Sequence, residues 1–266
     1  MIVIGEKINA SSPEIKIIIQ ERDGTKLLDF ARKQVTAGSD FIDLNVGTGV
    51  GSREDEILSM EWAIDTIQKE MDIPLCVDSS DPLVLEAALK AREGRPSLIN
   101  STKADEGNLE QVVPLAKNYN TPLVALAMDE AGIPKTVKGR IRACDKIAVV
   151  CENYGISLKS VLFDPLVLPI STDIKQGWVT LHTLMEVKKK FPTAKTVIGL
   201  SNISYGLPAR TRLDKAFLHM AIFAGLDAAI MDPLNKELMD EVKTADILVG
   251  KDRHCRRYTR AFRGRG

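Results

Sequence analysis

The sequence predicts an α/β fold, a (β/α)8 TIM barrel. Three observations predict it. Eight short apolar runs recur along the chain, each is followed by a longer stretch of helical period, and 266 residues match the roughly 250 that eight such units occupy. Runs that are apolar throughout suit parallel strands buried on both faces. They are Ile2–Gly5, Phe41–Asn45, Leu75–Asp78, Leu98–Asn100, Leu123–Met128, Val161–Asp164, Val197–Asn202 and Ala228–Asp232. The intervening helical stretches are Leu27–Ala37, Ile57–Glu70, Leu83–Arg92, Leu109–Tyr119, Ile141–Tyr154, Leu181–Lys190, Ala216–Ala224 and Lys236–Leu248. In the second, Ile57, Met60, Trp62, Ala63, Ile64 and Ile67 make one apolar face, with Glu61, Asp65 and Lys69 turned away. Gly38 and Gly225 each follow a helical pattern and precede a strand, where a left-handed residue ends a helix. A doubly wound open sheet also alternates, but with a glycine-rich first turn. Here the first run leads into Gly5-Glu6-Lys7-Ile8-Asn9, with no G-x-G-x-x-G.

No linker, repeat or low-complexity segment divides the chain. Residues 1–250 read as the barrel and 251–266 as a basic C-terminal tail. The tail holds seven Lys/Arg against one acid, a net +6, and the preceding 250 residues carry −6. It is either a solvated terminus or an element that docks electrostatically on an acidic partner or a substrate tail. The segment from Asp164 to Trp178 is long for a barrel loop and apolar at its start, which suggests that it folds over the barrel mouth.

Overall charge is balanced, 36 Lys+Arg against 36 Asp+Glu, so no large field draws the molecule onto nucleic acid. Four apolar residues before Glu6 are too few for a signal-peptide core, and no apolar run approaches the ~20 residues that span a bilayer. The expectation is a soluble, cytoplasmic protein. Cys76, Cys144, Cys151 and Cys255 form no C-x-x-C pair, and His182, His219 and His254 are equally scattered. This gives no metal centre, with the first three cysteines expected in the core.

A barrel of this kind does its chemistry at the C-terminal ends of its strands. Those ends carry Glu6 and Asn9, Asp43 and Asn45, Asp78-Ser79-Ser80, Asn100-Ser101-Thr102, Met128-Asp129, Asp164, Ser201-Asn202 and Asp232. Asp, Asn and Ser terminate strands and cap helices, and Asp43 and Ser79-Ser80 are candidates for that plain role. Capping does not account for so complete a run of carboxylates and amides. The only cations nearby are Lys7 and Lys103, so buried carboxylates need other partners. A neutral heterocycle rich in N–H donors supplies them: a carboxylate accepts two parallel N–H bonds from an amino-pyrimidinone edge, and Asn offers both a donor and an acceptor. Mg2+ or Ca2+ fits less well, because no D-x-D run brings carboxylates together. The ends of strands seven and eight, Gly-Leu-Ser-Asn-Ile-Ser and Ile-Met-Asp-Pro, make a poor phosphate site.

In order along the chain stand Gly5-Glu6-Lys7-Ile8-Asn9, Asp43-Leu44-Asn45-Val46-Gly47, Val77-Asp78-Ser79, Ile99-Asn100-Ser101-Thr102, Gly132-Ile133-Pro134, Phe163-Asp164-Pro165, Gly199-Leu200-Ser201-Asn202 and Gly225–Ile230. Over essentially its whole length the chain thereby resembles the pterin-binding methyltransferases, specifically the methyltetrahydrofolate:corrinoid protein methyltransferases, whose barrel is of the dihydropteroate synthase type. The resemblance implies methyl transfer between N5 of methyltetrahydrofolate and the cobalt of a corrinoid (a cobalamin-type group) carried by a separate protein. It implies a homodimer, a corrinoid-protein partner and no protein-bound metal; the charge balance and the short apolar runs add the expectation of no nucleic-acid or membrane partner. The resemblance further implies that Asp78, Asn100 and Asp164 hold the pterin and that Asn202 reaches N5 as the catalytic residue; beside them Gly199 and Ser201 are expected to touch the pterin, and the strand-end residues Glu6, Asn9, Asp43 and Asn45 are candidates to support the set. Asn202 has no proton to lose near neutral pH; its part is to accept a bond from protonated N5 and stabilise that charge in the transition state.

Two rivals remain at this stage. Dihydropteroate synthase shares the pterin site but binds a pyrophosphate leaving group with Lys and Arg at the ends of strands seven and eight, where this chain has Asn202 and Asp232. A non-catalytic subunit that only docks a corrinoid protein has no use for Asn202. A complete methionine synthase is too long for this chain, and an aldolase-type barrel lacks its strand-end Lys here.

Overall fold

The computed structural model describes residues 1–264; Arg265 and Gly266 of the basic tail lie outside the described residues. Eight parallel strands close into a barrel in sequence order, the last pairing with the first. They are β1 (Ile2–Asn9), β2 (Phe41–Asn45), β3 (Leu75–Asp78), β4 (Ser97–Lys103), β5 (Leu123–Leu126), β6 (Val161–Asp164), β7 (Lys195–Gly199) and β8 (Ala228–Met231). Helices α1 (Pro13–Glu21), α2 (Gly24–Ala37), α3 (Arg53–Glu70), α4 (Pro82–Ala91), α5 (Glu106–Asn118), α6 (Val137–Asn153), α7 (Gln176–Lys190), α8 (Arg210–Phe223), α9 (Lys236–Leu248) and α10 (Arg256–Phe262) complete it. Side-chain caps start most of them: Asp23, Asp81, Asp105, Thr136 and Asn235 each accept a backbone N–H, and Ser52 with Asp55 forms a capping box. Gly38 and Gly225 adopt positive φ after α2 and α8, as expected of them.

The core has two layers. Between strands and helices lie the clusters around Ile8, Leu44, Ile64 and Val77 and around Ile198, Leu218 and Leu226. Inside the barrel, Ile4, Cys76, Leu98, Val124, Leu162, Val197 and Ala228 form a plug, with Phe41 packed against it. Each strand contributes one of these eight residues. Because side chains alternate in direction along a strand, the residue two positions on must also face the lumen, one layer nearer the C-terminal ends.

Several boundaries differ from expectation, and four differences bear on the site: three strand ends at the C-terminal end of the barrel and one added helix. β1 runs on to Asn9 through a register irregularity between Gly5 and Ile8, and β4 runs to Lys103 through another between Asn100 and Thr102. Bulges break the alternation that sequence patterning relies on. β7 stops at Gly199, and Leu200–Asn202 is a 3-10 turn. α1 was not expected, because its Ile-rich stretch has weak helix propensity. It forms because Ile15, Ile18 and Ile19 bury one face and Pro13 starts it.

The segment after β6 folds against the barrel mouth in part. Ile170 N–H donates to the Ile203 carbonyl and Ser171 Oγ to the Tyr205 carbonyl. Tyr205 is exposed, with the Arg210 guanidinium 6.0 Å from its ring centre. Residues 251–264 of the C-terminal tail lie at the opposite end. The Met1 ammonium sits 2.6 Å from Asp246 Oδ2, Arg257 Nη2 reaches the same oxygen at 3.2 Å, and Asp252 accepts the Arg257 and Tyr258 N–H groups. α10 is thereby pinned at the N-terminal end of β1, which rules out contact between this helix and a substrate tail at the strand C-termini. Its Arg256 and Arg260 remain exposed.

Gly5 faces α2, where a Cβ would strike Gln34 Oε1 and come 2.7 Å from Ser39 Oγ. Gln34 Oε1 accepts the Lys7 N–H, so Gly5→Ala must also loosen the β1 irregularity. The expected cost is about 1–3 kcal/mol, read as a drop in the melting temperature; an unchanged melting curve contradicts it.

Candidate active site

One position on every strand defines the floor of the site: Glu6, Asp43, Asp78, Asn100, Leu126, Asp164, Gly199 and Ile230. Each follows a plug position by two residues, and all eight line one cavity of about 690 Å3. That volume suits a ligand of small-molecule size. The walls are Lys7 and Asn9 from β1, Ser11, Ser12, Glu14 and Ile15 from the start of α1, Phe30, Ser101, Leu166, Val167, Ser201 and Asn202. The α1 residues and Phe30 were not anticipated as lining the site. The signal available for α1 was Ser12-Pro13-Glu14, a helix start placed just after a strand end.

The anticipated residues converge. Asp78, Asn100, Asp164, Gly199, Ser201 and Asn202 share the cavity, and Glu6, Asn9 and Asp43 open onto it beside them. Asn45 stands behind: its Nδ2 donates to Asp78 Oδ2 at 3.0 Å while its Oδ1 accepts the Gly47 N–H. Asn100 Nδ2 donates to Asp43 Oδ1 at 3.2 Å. Asp43 therefore caps no helix, contrary to its plain reading; it lies in the lumen and orients Asn100. Ser79 does act locally, its Oγ accepting the Asp81 N–H and donating to Glu56. Gly199 leaves room for Asn202, since a Cβ there would lie 2.9 Å from Asn202 Nδ2. Arg210 steadies this turn by donating to the Ser201 carbonyl and to Ser204 Oγ.

The floor holds four acids and the walls add Glu14, while the one Lys or Arg lining the cavity is already paired: Lys7 Nζ lies 3.1 Å from Asp232 Oδ2. Burial pushes Asp43 well above the usual carboxylate range, and the charge of Asp78 adds to it. Burial also raises Asp78 and Glu6. The Ser201 hydroxyl, donating to Glu6 Oε2 at 3.2 Å, works against the shift of Glu6. Asp164 is pushed up to about 7 by burial, opposed by the Leu166 N–H and the positive charge of Arg140. The wall therefore pulls toward N–H donors and offers no anchor for an anion. Among the described residues no three His, Cys, Asp or Glu side chains are placed to hold a metal ion. Cys76, Cys144 and Cys151 are buried free thiols, as expected of core residues.

Comparison with known proteins agrees with this chemistry. Residues 7–232 match the pterin binding enzyme family. The chain is a member of that family. This pterin-binding barrel is 34% identical, over 99% of its own length and 96% of the relative's, to a methylcorrinoid:tetrahydrofolate methyltransferase of Eubacterium limosum. It is 32% identical over 87% of its length to a methionine synthase of Mycobacterium tuberculosis, of which it spans 20%. Among solved structures, 7,8-dihydropteroate synthase from Vibrio fischeri superposes with a TM-score of 0.73 at 21% identity, covering 95% of this chain and 94% of that one. The barrel expected from the sequence is thus the fold of the family.

A carboxyl group whose folded pKa is raised stabilises the protein in its protonated form and destabilises it once ionised. Its contribution is lost as pH rises from the unfolded value near 4 through the folded value of about 7 for Asp164. Asp164→Asn should therefore stabilise the free protein at pH 8 by roughly 1–3 kcal/mol, with a smaller gain at pH 5. Thermal melts at the two pH values check the sign; a less stable variant at pH 8 refutes it.

Proposed function

We propose that this barrel transfers a methyl group between N5 of tetrahydrofolate and the cobalt of a corrinoid carried by a separate protein. The observation that carries the reading is the pairing of a donor-seeking ring with a neutral amide, Asn202, at the seam of β7 and β8. Similarity along nearly the whole chain to a methylcorrinoid:tetrahydrofolate methyltransferase supports it. A dihydropteroate synthase reaction is favoured less, because a pyrophosphate leaving group calls for cations where this chain has Asn202 and a Lys7–Asp232 pair.

In this reading Asp78, Asn100 and Asp164 take the amino-pyrimidinone edge of the pterin, and Gly199 and Ser201 let the ring lie flat beside the turn. In one direction N5 takes up a proton from solvent, the N5–methyl bond breaks with its electron pair left on N5, and a cobalt(I) lone pair forms the new bond to carbon. In the other, the N5 lone pair attacks the methyl, the bond to cobalt breaks to release cobalt(I), and N5 gives up its proton to solvent. The Asn202 amide oxygen accepts from N5–H+ and stabilises charge that is greatest in the transition state. Holding N5 and cobalt in line supplies much of the remainder. The reading includes a cytoplasmic enzyme and a homodimer. The outer faces of α7 and α8 carry exposed Trp178, Met185, Met220 and Phe223, apolar surface that a second copy covers. Light scattering should give twice the chain mass; a monomer at micromolar concentration contradicts the dimer.

The test is anaerobic mixing with methyltetrahydrofolate and photoreduced cob(I)alamin, followed through the cobalt spectrum. The expected result is conversion to methylcobalamin, reversed by added tetrahydrofolate. Asn202→Ala should slow the step by about 10²–10³ with the fold intact, whereas Asp78→Ala should mainly abolish folate binding because the ring donors lose their partner. Absence of folate binding in the wild-type protein rejects the reading. An Asn202→Ala variant at full rate rejects the role of Asn202.

A further inference from the structure

Arg140, one turn into α6, is fully buried and touches no carboxylate. Its Nη1 donates to the Leu166 carbonyl at 2.7 Å and to Thr180 Oγ1 at 3.1 Å. Its Nη2 donates to Gln176 Oε1 at 2.8 Å, and its Nε to the Pro134 carbonyl at 3.0 Å. Three of these bonds tie the start of α6 to the β6–α7 loop and to α7, and the fourth returns to the loop before α6. All four acceptors are neutral. Burying a cation without a carboxylate partner is unfavourable, and a neutral side chain could make comparable bonds. The charge therefore calls for a reason.

Leu166 shows what the clamp holds. Its φ is +66°, a left-handed conformation uncommon for a branched side chain. In that conformation its N–H donates to Asp164 Oδ1 at 2.7 Å, its carbonyl is gripped by Arg140 and by Thr180 Oγ1, and it lines the cavity with Asp164. We propose that Arg140 is the positioning residue of the β6 site: it locks Leu166 so that one Asp164 oxygen is occupied and the other is presented to the ligand, and its charge is the one that faces the Asp164 carboxylate. The ionisable groups facing Asp164 are Arg140 and Cys144, both on α6. Burial raises the Cys144 thiol, which stays neutral, and burial lowers Arg140 only to about 10, so it stays charged. Removing that charge leaves burial opposed by the Leu166 N–H alone. Asp164 then takes up its proton at higher pH, and ligand affinity, which needs the ionised form, is lost at higher pH.

The proposal rests on Asp164 as a pterin ligand, so one measurement is made without ligand. Protein with 13C-labelled aspartate carboxyls is titrated by NMR, Asp164 being assigned by its loss in Asp164→Asn, for the wild type, Arg140→Gln and Arg140→Lys. Tetrahydrofolate affinity is measured by calorimetry across the same pH range. Arg140→Gln should move the Asp164 midpoint up by about one pH unit and weaken tetrahydrofolate about fivefold at pH 7. Arg140→Lys, which keeps the charge but not the fork, should keep the wild-type midpoint and weaken binding. A midpoint unmoved in Arg140→Gln overturns the proposal. If Arg140→Gln does not fold, Arg140→Lys decides: a midpoint that rises with the charge retained overturns it, and a wild-type midpoint with weaker binding supports it. Wild-type protein that ignores tetrahydrofolate defeats the function proposed above, while the ligand-free titrations still judge Arg140.

Discussion

Strand alternation inside a closed barrel is the constraint from which the rest follows. Once the strands pair in order around the lumen, every second residue faces inward at a common height. One layer is an apolar plug from Ile4 to Ala228. The next, two residues on, is necessarily a ring of eight, and five of its members are Glu6, Asp43, Asp78, Asn100 and Asp164. A folding core and a ligand floor are thus adjacent layers of the same strands. The acids of the ring are held where solvation is poor, and the rise in their pKa values expresses that cost. A barrel built only for stability would carry Val or Leu at these positions.

Much of this was legible in the sequence. The eight strands and the helices between them showed as runs and periodicity. The polar residues that end the runs were recognisable as a set, because so many carboxylates and amides without cations have no structural explanation. Two kinds of feature were hidden. The extensions of β1 to Asn9 and of β4 to Lys103 pass through irregularities where the period of two fails. Helix α1 is written in isoleucines, whose propensity points the wrong way; tertiary burial of Ile15, Ile18 and Ile19 overrides it.

Asp43 and Arg140 mark the limit of reading one residue at a time. Asp at the end of a strand is ordinary, and only the register of β2 against β3, and of β3 against β4, sets Asp43 in the lumen where Asn100 donates to it. An arginine early in an amphipathic helix is equally ordinary. Its burial beneath the β6–α7 loop depends on how α6 meets α7, which no local pattern encodes.

The separation between the ring and the Leu200–Asn202 turn has an evolutionary consequence. The ring belongs to the hydrogen-bonded lattice of the barrel, so changing it disturbs strands and core together. Asn202 hangs on a single 3-10 turn beyond the last β7 ladder residue, exposed and outside that lattice. Substitutions in such a turn can alter the leaving group that the barrel handles while the floor that recognises the heterocycle stays intact. A scaffold organised this way can keep one ligand edge as a fixed inheritance and let the chemistry diversify at its rim.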